Sequence, residues 1–189
     1  MFSDGANLSH ETGGMQAMKR PTGRGELVLY LDFDGVLHHE NVHWHPRKGA
    51  YLDAPEGYSL FQHAALLETL LAPYPAVRIV LSTSWVRVFS YSRAAKRLTP
   101  ALRARVIGAT YHSIMNPQAF AAMPRGYQVW DDVQRRQPRD WLALDDDAQD
   151  WPDWCRDRLV HTHEHAGLSE PAVHAELRDK LAAMCASTA

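Results

Sequence analysis

Asp32 and Asp34 stand two residues apart in the run LDFDGVLH, with Gly35 directly behind them. On an ideal strand the period of two would turn both carboxylates to one side. Two carboxylates crowded together repel each other unless a shared proton or a cation compensates. A hard divalent ion such as Mg2+ is the natural compensator, because it takes oxygen ligands and keeps water and substrate phosphate in its shell. Gly35 lets the chain turn sharply behind the pair. Histidines form two further clusters, His38, His39, His43 and His45 after the acidic pair, and His161, His163 and His165 near the other end. Imidazoles at these spacings can bind zinc or nickel. No cysteine accompanies them, however, and the preferred expectation is that His38, His39 or His43 lines a cleft and touches its ligand. Trp44, Trp85 and Trp130 are candidates for stacking on a base, although packing in the core or at its rim is the expected role of each.

The elements that must position these residues alternate in type. Residues 26–33 read ELVLYLDF, an apolar run of the kind that forms a buried strand in a parallel sheet. Residues 59–71 carry Leu60, Ala64, Leu67 and Leu71 on one helical stripe, which Pro73 and Pro75 close. A second strand follows in AVRIVLST, then a helix over 89–98, a third strand at 105–110 and a helix over 126–136. WLALDD at 141–146 is a fourth strand, RLVHT at 158–162 a fifth, and a last helix carries Val173, Leu177 and Leu181. Strands alternating with helices imply a parallel sheet with right-handed crossovers. In such a sheet ligands sit at the carboxyl ends of the strands, where Asp32 and Asp34 fall.

LDFDGVLH resembles the first motif of the haloacid dehalogenase-like hydrolase superfamily, and the other motifs follow in order. The resemblance implies a three-layer α/β/α Rossmann-like sandwich around a mainly parallel five-stranded sheet. It assigns Asp32 as the nucleophile that becomes an aspartyl phosphate, and Asp34 as the general acid and base. Presence of the second Asp favours phosphate-ester hydrolysis over the dehalogenases and ion-pumping ATPases of the superfamily. The second motif, a hydroxyl that bonds the phosphoryl group, falls on Thr83 with Ser82 as alternative. The third, a cation near the start of the helix before the fourth strand, falls on Arg125, with Arg87 competing. The fourth motif is acidic, and WLALDDDAQD supplies Asp145 and Asp146 as metal ligands together with Asp32 and Asp34; Asp150 has the spacing of an extended form. Gly35, Ser82, Ser84, Arg87 and His38 complete the candidates for contacting substrate, and Mg2+ is the implied cofactor.

Members of this superfamily usually select substrates with a cap inserted after the first or before the third motif. Residues 38–58 and 111–124 are too few for a domain, so the expectation is a minimal cap and an open cleft that admits large substrates such as nucleic-acid ends or phosphoproteins. LSTSW and LALDDD also resemble a small bacterial subgroup related to the phosphatase-like domains of RNA-repair proteins. The resemblance thus implies a Mg2+-dependent phosphatase. A polynucleotide-end phosphatase or phosphotransferase in nucleic-acid repair, and a non-catalytic binding module on the same fold, are the alternatives.

Composition bounds these readings. A chain of 189 residues with 46% hydrophobic side chains suits one domain with a real core. Residues 1–24 lack an apolar period and are expected to be a flexible leader, with the phosphohydrolase domain over 25–189. A formal charge of -2 argues against a polybasic nucleic-acid glove and an acidic disordered tail alike. Sixteen of the twenty cations are Arg, which suits bidentate phosphate recognition but equally reflects a GC-rich genome. Two cysteines, Cys155 and Cys185, are too few for a disulfide framework. With no apolar run long enough to span a bilayer and no signal peptide visible, the expected setting is cytoplasmic, with no membrane partner and the oligomeric state open.

Overall fold

The computed structural model describes residues 21–186; the leader proposed for residues 1–24 lies outside them as far as residue 20. In chain order the elements are β1 (Leu27–Leu31), β2 (Val42–His45), β3 (Gly49–Leu52), α1 (Ala64–Leu71), β4 (Val77–Leu81), α2 (Ser84–Phe89), α3 (Tyr91–Ala95) and α4 (Pro100–Arg105). There follow β5 (Val106–Ala109), α5 (Pro117–Ala122), α6 (Arg125–Arg136), β6 (Asp140–Asp145), a 3-10 helix (Asp153–Arg158), β7 (Leu159–His161) and α7 (Pro171–Ala186). Five strands form one parallel sheet in the order β5-β4-β1-β6-β7. β2 and β3 make a separate antiparallel hairpin.

Alternation along the central strands builds the three layers. Leu27, Leu29 and Leu31 of β1 enter one core with Ile79, Leu142, Leu144, α1 and α7, while Val28 and Tyr30 enter a second with Val80, Ala143 and α6. All five residues of β1 are buried, because helices cover both faces of the sheet. The chain runs from β1 outward through β4 to β5, then crosses back to β6 and β7. The direction of winding therefore reverses at β1, and the crevice beyond its carboxyl end is where ligands bind in open α/β sheets. Leu31 is level with Leu81 of β4 and Leu144 of β6, so Asp32, Ser82 and Asp145 emerge side by side.

Several boundaries differ from the sequence expectations. The helix expected over 59–71 begins at Ala64, after Phe61 takes a positive φ of 61°. The helix expected over 89–98 starts earlier and is broken in two. Thr83 caps α2 by accepting from the Trp85 N–H, and Ser90 at φ 87° ends it before α3 begins. Residues 38–58 hold the β2–β3 hairpin and residues 111–124 hold only α5, so the cap is minimal. Thr22, within the leader expected over 1–24, is docked on the domain: its carbonyl meets the Arg136 guanidinium, and Gly25 donates to the Gln137 carbonyl at 3.0 Å. Among the described residues no helix is long and apolar enough to cross a membrane. Cys155 and Cys185 form no disulfide.

A buried polar cluster pins α6, the helix that starts at Arg125. Asp132 is fully buried and accepts from the Tyr30 hydroxyl at 2.9 Å and from Arg136 Nε at 2.7 Å, with Arg135 against its other oxygen. Burial and the Asp132 charge keep the Tyr30 hydroxyl protonated. Removing one partner of such a cluster strands the other charge in a medium that cannot solvate it. Asp132→Ala should therefore cost about 3–5 kcal/mol of stability, read from the midpoint of urea unfolding.

Candidate active site

β1 delivers Asp32, which is buried and takes hydrogen bonds at both carboxylate oxygens. The Phe33 N–H donates to Oδ1 at 2.6 Å, and Arg125 Nη2 donates to Oδ2 at 2.8 Å. β6 delivers Asp145, whose Oδ2 lies 3.3 Å from Arg125 Nε and whose Oδ1 accepts from the Asp147 N–H at 3.1 Å. Asp146 follows, half-buried. Asp32, Asp145 and Asp146 each bring a carboxylate oxygen within 4.8 Å of the others.

Asp34 leaves this group. β1 stops at Leu31, and the Val36 and Leu37 N–H groups both donate to the Phe33 carbonyl, so the chain is already turning and the strand alternation does not extend to Asp34. Its Oδ1 instead accepts from the Trp85 indole Nε1 at 2.8 Å and lies 3.1 Å from His38 Nε2. Asp34 still stands near enough for its charge to bear on Asp32.

The electrostatics are those of an under-compensated acidic pocket. Burial pushes the Asp32 carboxyl above its usual range, with Arg125 opposing and the Asp34 charge adding to the rise. Asp145 is raised further, first by burial and then by the Asp32 charge. Asp146 is pushed up to about 7 by burial and by Asp32. Burial also disfavours the Arg125 charge, but Asp32 and Asp145 outweigh it and keep the guanidinium protonated. When all three carboxylates are ionised, one guanidinium leaves two negative charges, the amount one divalent cation cancels. Asp145 Oδ2 is a buried oxygen without a hydrogen-bond donor, and an all-oxygen donor set suits a hard ion. The residues present fit Mg2+.

Gly35 is needed for this arrangement. Its φ is 62°, and a Cβ there would collide with the Asp146 carboxylate. Its carbonyl accepts from the Thr162 hydroxyl at 2.7 Å, which ties the turn to the loop after β7. Gly35 thus makes room for a carboxylate, whereas the sequence suggested contact with substrate.

The remaining candidates divide. Thr83, Ser84, Arg87 and Arg125 line one cleft of about 380 Å3, together with Asp147 and Asp150. The Thr83 hydroxyl helps stabilise the charge on Asp32. Ser82 is buried, with its Oγ unpartnered. Of the two competing cations, Arg125 reaches Asp32, while exposed Arg87 points Nη1 at the Pro117 carbonyl, 3.4 Å away. Asp150 lies on the cleft wall outside the carboxylate group. His38 is fully buried and faces Asp34, so in this conformation it supports that carboxylate from behind and does not line the cleft.

The two histidine clusters converge although more than a hundred residues separate them. His39 stacks on His165 with centroids 4.4 Å apart, and exposed Glu40, Glu164 and His165 bring ligand atoms within 4.8 Å of one another. Trp85 is buried and serves Asp34, Trp44 is exposed, and Trp130 packs edge-on against Trp154.

Trp85, Gln128 and Thr162 are site residues that the sequence did not single out for these tasks. Gln128 Oε1 accepts from Arg125 Nη1 at 3.3 Å, and its amide is fixed by the Phe120 and Met123 carbonyls. Its place three residues after Arg125 on a helix was the available signal.

A family model described as the HAD domain in Swiss Army Knife RNA repair proteins matches residues 28–173, from within β1 to the first turn of α7. The chain belongs to this family. No curated protein and no solved structure matches it. The part matched to the HAD domain takes in all four strand ends that carry Asp32, Thr83, Asp145 and Thr162, and the helix start that carries Arg125.

Replacing the turn glycine tests how tightly this HAD site is packed. Gly35→Ala should cost about 1–3 kcal/mol from its positive φ. It should also move Asp146; a displacement near 1 Å at such a site costs about 100-fold in rate. Thermal unfolding measures the first effect, and an assay of the function proposed below measures the second.

Proposed function

We propose that this protein is a Mg2+-dependent phosphatase that hydrolyses a phosphate monoester through an aspartyl phosphate on Asp32. The observation that carries the reading is the Arg125 guanidinium held between Asp32 and Asp145, with Asp34 kept apart on its own hydrogen bonds. This supports reading Asp32 as the attacking carboxylate and Asp34, outside the acidic trio, as the general acid and base.

Asp32, fixed by the Phe33 N–H and Arg125, attacks phosphorus, and the bond to the leaving oxygen breaks. Asp34, protonated, gives its proton to that oxygen. It then removes a proton from water, the resulting hydroxide attacks the phosphorus of the acyl phosphate, and Asp32 is regenerated with release of inorganic phosphate. Arg125 and the Thr83 hydroxyl face the phosphoryl oxygens from the cleft. Asp32, Asp145 and Asp146 would hold Mg2+, which when bound supplies positive charge against those oxygens. The Trp85 and His38 contacts orient Asp34. A nucleic-acid end is the substrate class favoured by the family's description, which ties this HAD domain to RNA repair.

Activity on a generic aryl phosphate with and without Mg2+ separates catalysis from a binding module. Asp32→Asn should reduce turnover to background, and normal activity in that variant would overturn the mechanism. Asp34→Asn should slow turnover and accumulate phosphorylated protein, detectable by intact mass after acid quench. Arg125→Ala should lose about 100- to 1,000-fold in kcat.

Metal binding has its own readout. Mg2+ at about 100 times its Kd should stabilise the fold by about 2.7 kcal/mol, and EDTA should reverse the gain. Asp145→Asn should lower the Mg2+-dependent rise in Tm, and an undiminished rise would remove Asp145 from the metal group.

A further inference from the structure

Beside the cleft at the strand ends, a larger groove of about 860 Å3 runs along β5, the edge strand of the sheet. Arg87 lines both cavities. The groove walls come from α2 (Val88 and Phe89), α3 (Tyr91) and the chain after β5 (Tyr111 and His112). Val88 is 57% exposed and Tyr91 42% exposed, so apolar and aromatic surface is presented here rather than packed away. Ser90, at its positive φ, separates α2 from α3 and brings Tyr91 to the groove. No carboxylate belongs to the lining, whereas Arg87 does; His112 of the lining is turned to the buried Asp132 carboxylate, 3.9 Å away.

A concavity of this volume, apolar with a few polar groups, is of a size to take a small organic moiety. Its lining selects the kind. Tyrosine rings offer flat faces on which any base can stack, and an adjoining guanidinium suits a phosphodiester. Arg87 uses one of its five N–H groups on the Pro117 carbonyl at 3.4 Å, which leaves donors for a ligand.

We propose that the β5-edge groove is the leaving-group subsite, and that it takes the terminal nucleotide of a single-stranded nucleic acid whose phosphate enters the cleft beside Asp32. Tyr91 stacks on the base and Arg87 contacts the next backbone phosphate. The proposal rests on the phosphatase reading for the role of the cleft, but the binding it describes does not need turnover.

The test uses the full chain with Mg2+ present, so that the acidic group does not repel the terminal phosphate, and measures the equilibrium affinity for a short single-stranded RNA bearing a non-hydrolysable 3′- or 5′-terminal methylenephosphonate, with a phosphoserine peptide as competitor. Tyr91→Ala should weaken RNA binding by about 5- to 140-fold, the loss of one base stack. Tyr91→Phe, which keeps the ring, should restore it. Val88→Glu should weaken binding by placing a negative charge in the groove. Both positions are exposed, and unchanged Tm values would confirm that the variants fold. On hydrolysable phosphate ends, the ratio of kcat/KM for the RNA end to that for an aryl phosphate should fall in Tyr91→Ala.

RNA affinity unmoved by both Tyr91→Ala and Val88→Glu would overturn the proposal, as would tighter binding of the phosphopeptide or no RNA binding by the unsubstituted protein. Absence of turnover on every substrate, with RNA affinity still falling in the variants, would instead remove the phosphatase reading and leave the groove standing.

Discussion

Arg125 reaches Asp32 at 2.8 Å and Asp145 at 3.3 Å, and these carboxylates hang from neighbouring strands of the sheet. Buried like charges so close would push the strand ends apart or take up protons, and one guanidinium limits both outcomes. Much of the fold can be read as the support for that contact. The register of β1 with β6 brings the carboxylates level. The buried Asp132 cluster ties α6 to Tyr30 on β1, and α6 begins with Arg125 itself. Gln128, one turn along, holds the guanidinium from the side. Compensation stays incomplete, and the leftover charge is what makes the residues present fit a cation.

The strand ends were legible because the chemistry there is abrupt. Five consecutive apolar residues that stop at Asp32, and a similar run that stops at Asp145, can only be buried strands that surface at a polar site. Alternation did not carry through to Asp34, since the turn at Phe33 is set by backbone hydrogen bonds that leave little trace in side-chain pattern. The helix break at Ser90 was hidden for a related reason: serine is not the residue that usually marks a positive φ. Docking of Thr22 against Arg136 was invisible because it uses a backbone carbonyl, and composition predicted only a polar leader.

Histidine spacing was legible as a feature but not as an arrangement. Read along the chain, the two clusters suggested separate sites or a lined cleft. In the fold, His38 turns inward to Asp34, while His39 stacks on His165 and the Glu40 N–H donates to the Glu164 carbonyl at 2.9 Å. The root of the β2–β3 hairpin is thereby sewn to the loop after β7. The short insertion that replaces a cap domain is tied to the loop after β7 by these contacts, and the cleft of about 380 Å3 is lined by other segments.

Trp85 has an indole N–H 2.8 Å from Asp34 and lies within a buried aromatic group with Phe33, Phe61 and His38. An indole hydrogen-bonded to a carboxylate changes its emission when that acceptor gains or loses charge. Among the six tryptophans of the chain, Trp85 therefore reports on the group proposed to transfer protons, and the difference between the emission of the native protein and that of Trp85→Phe isolates its signal.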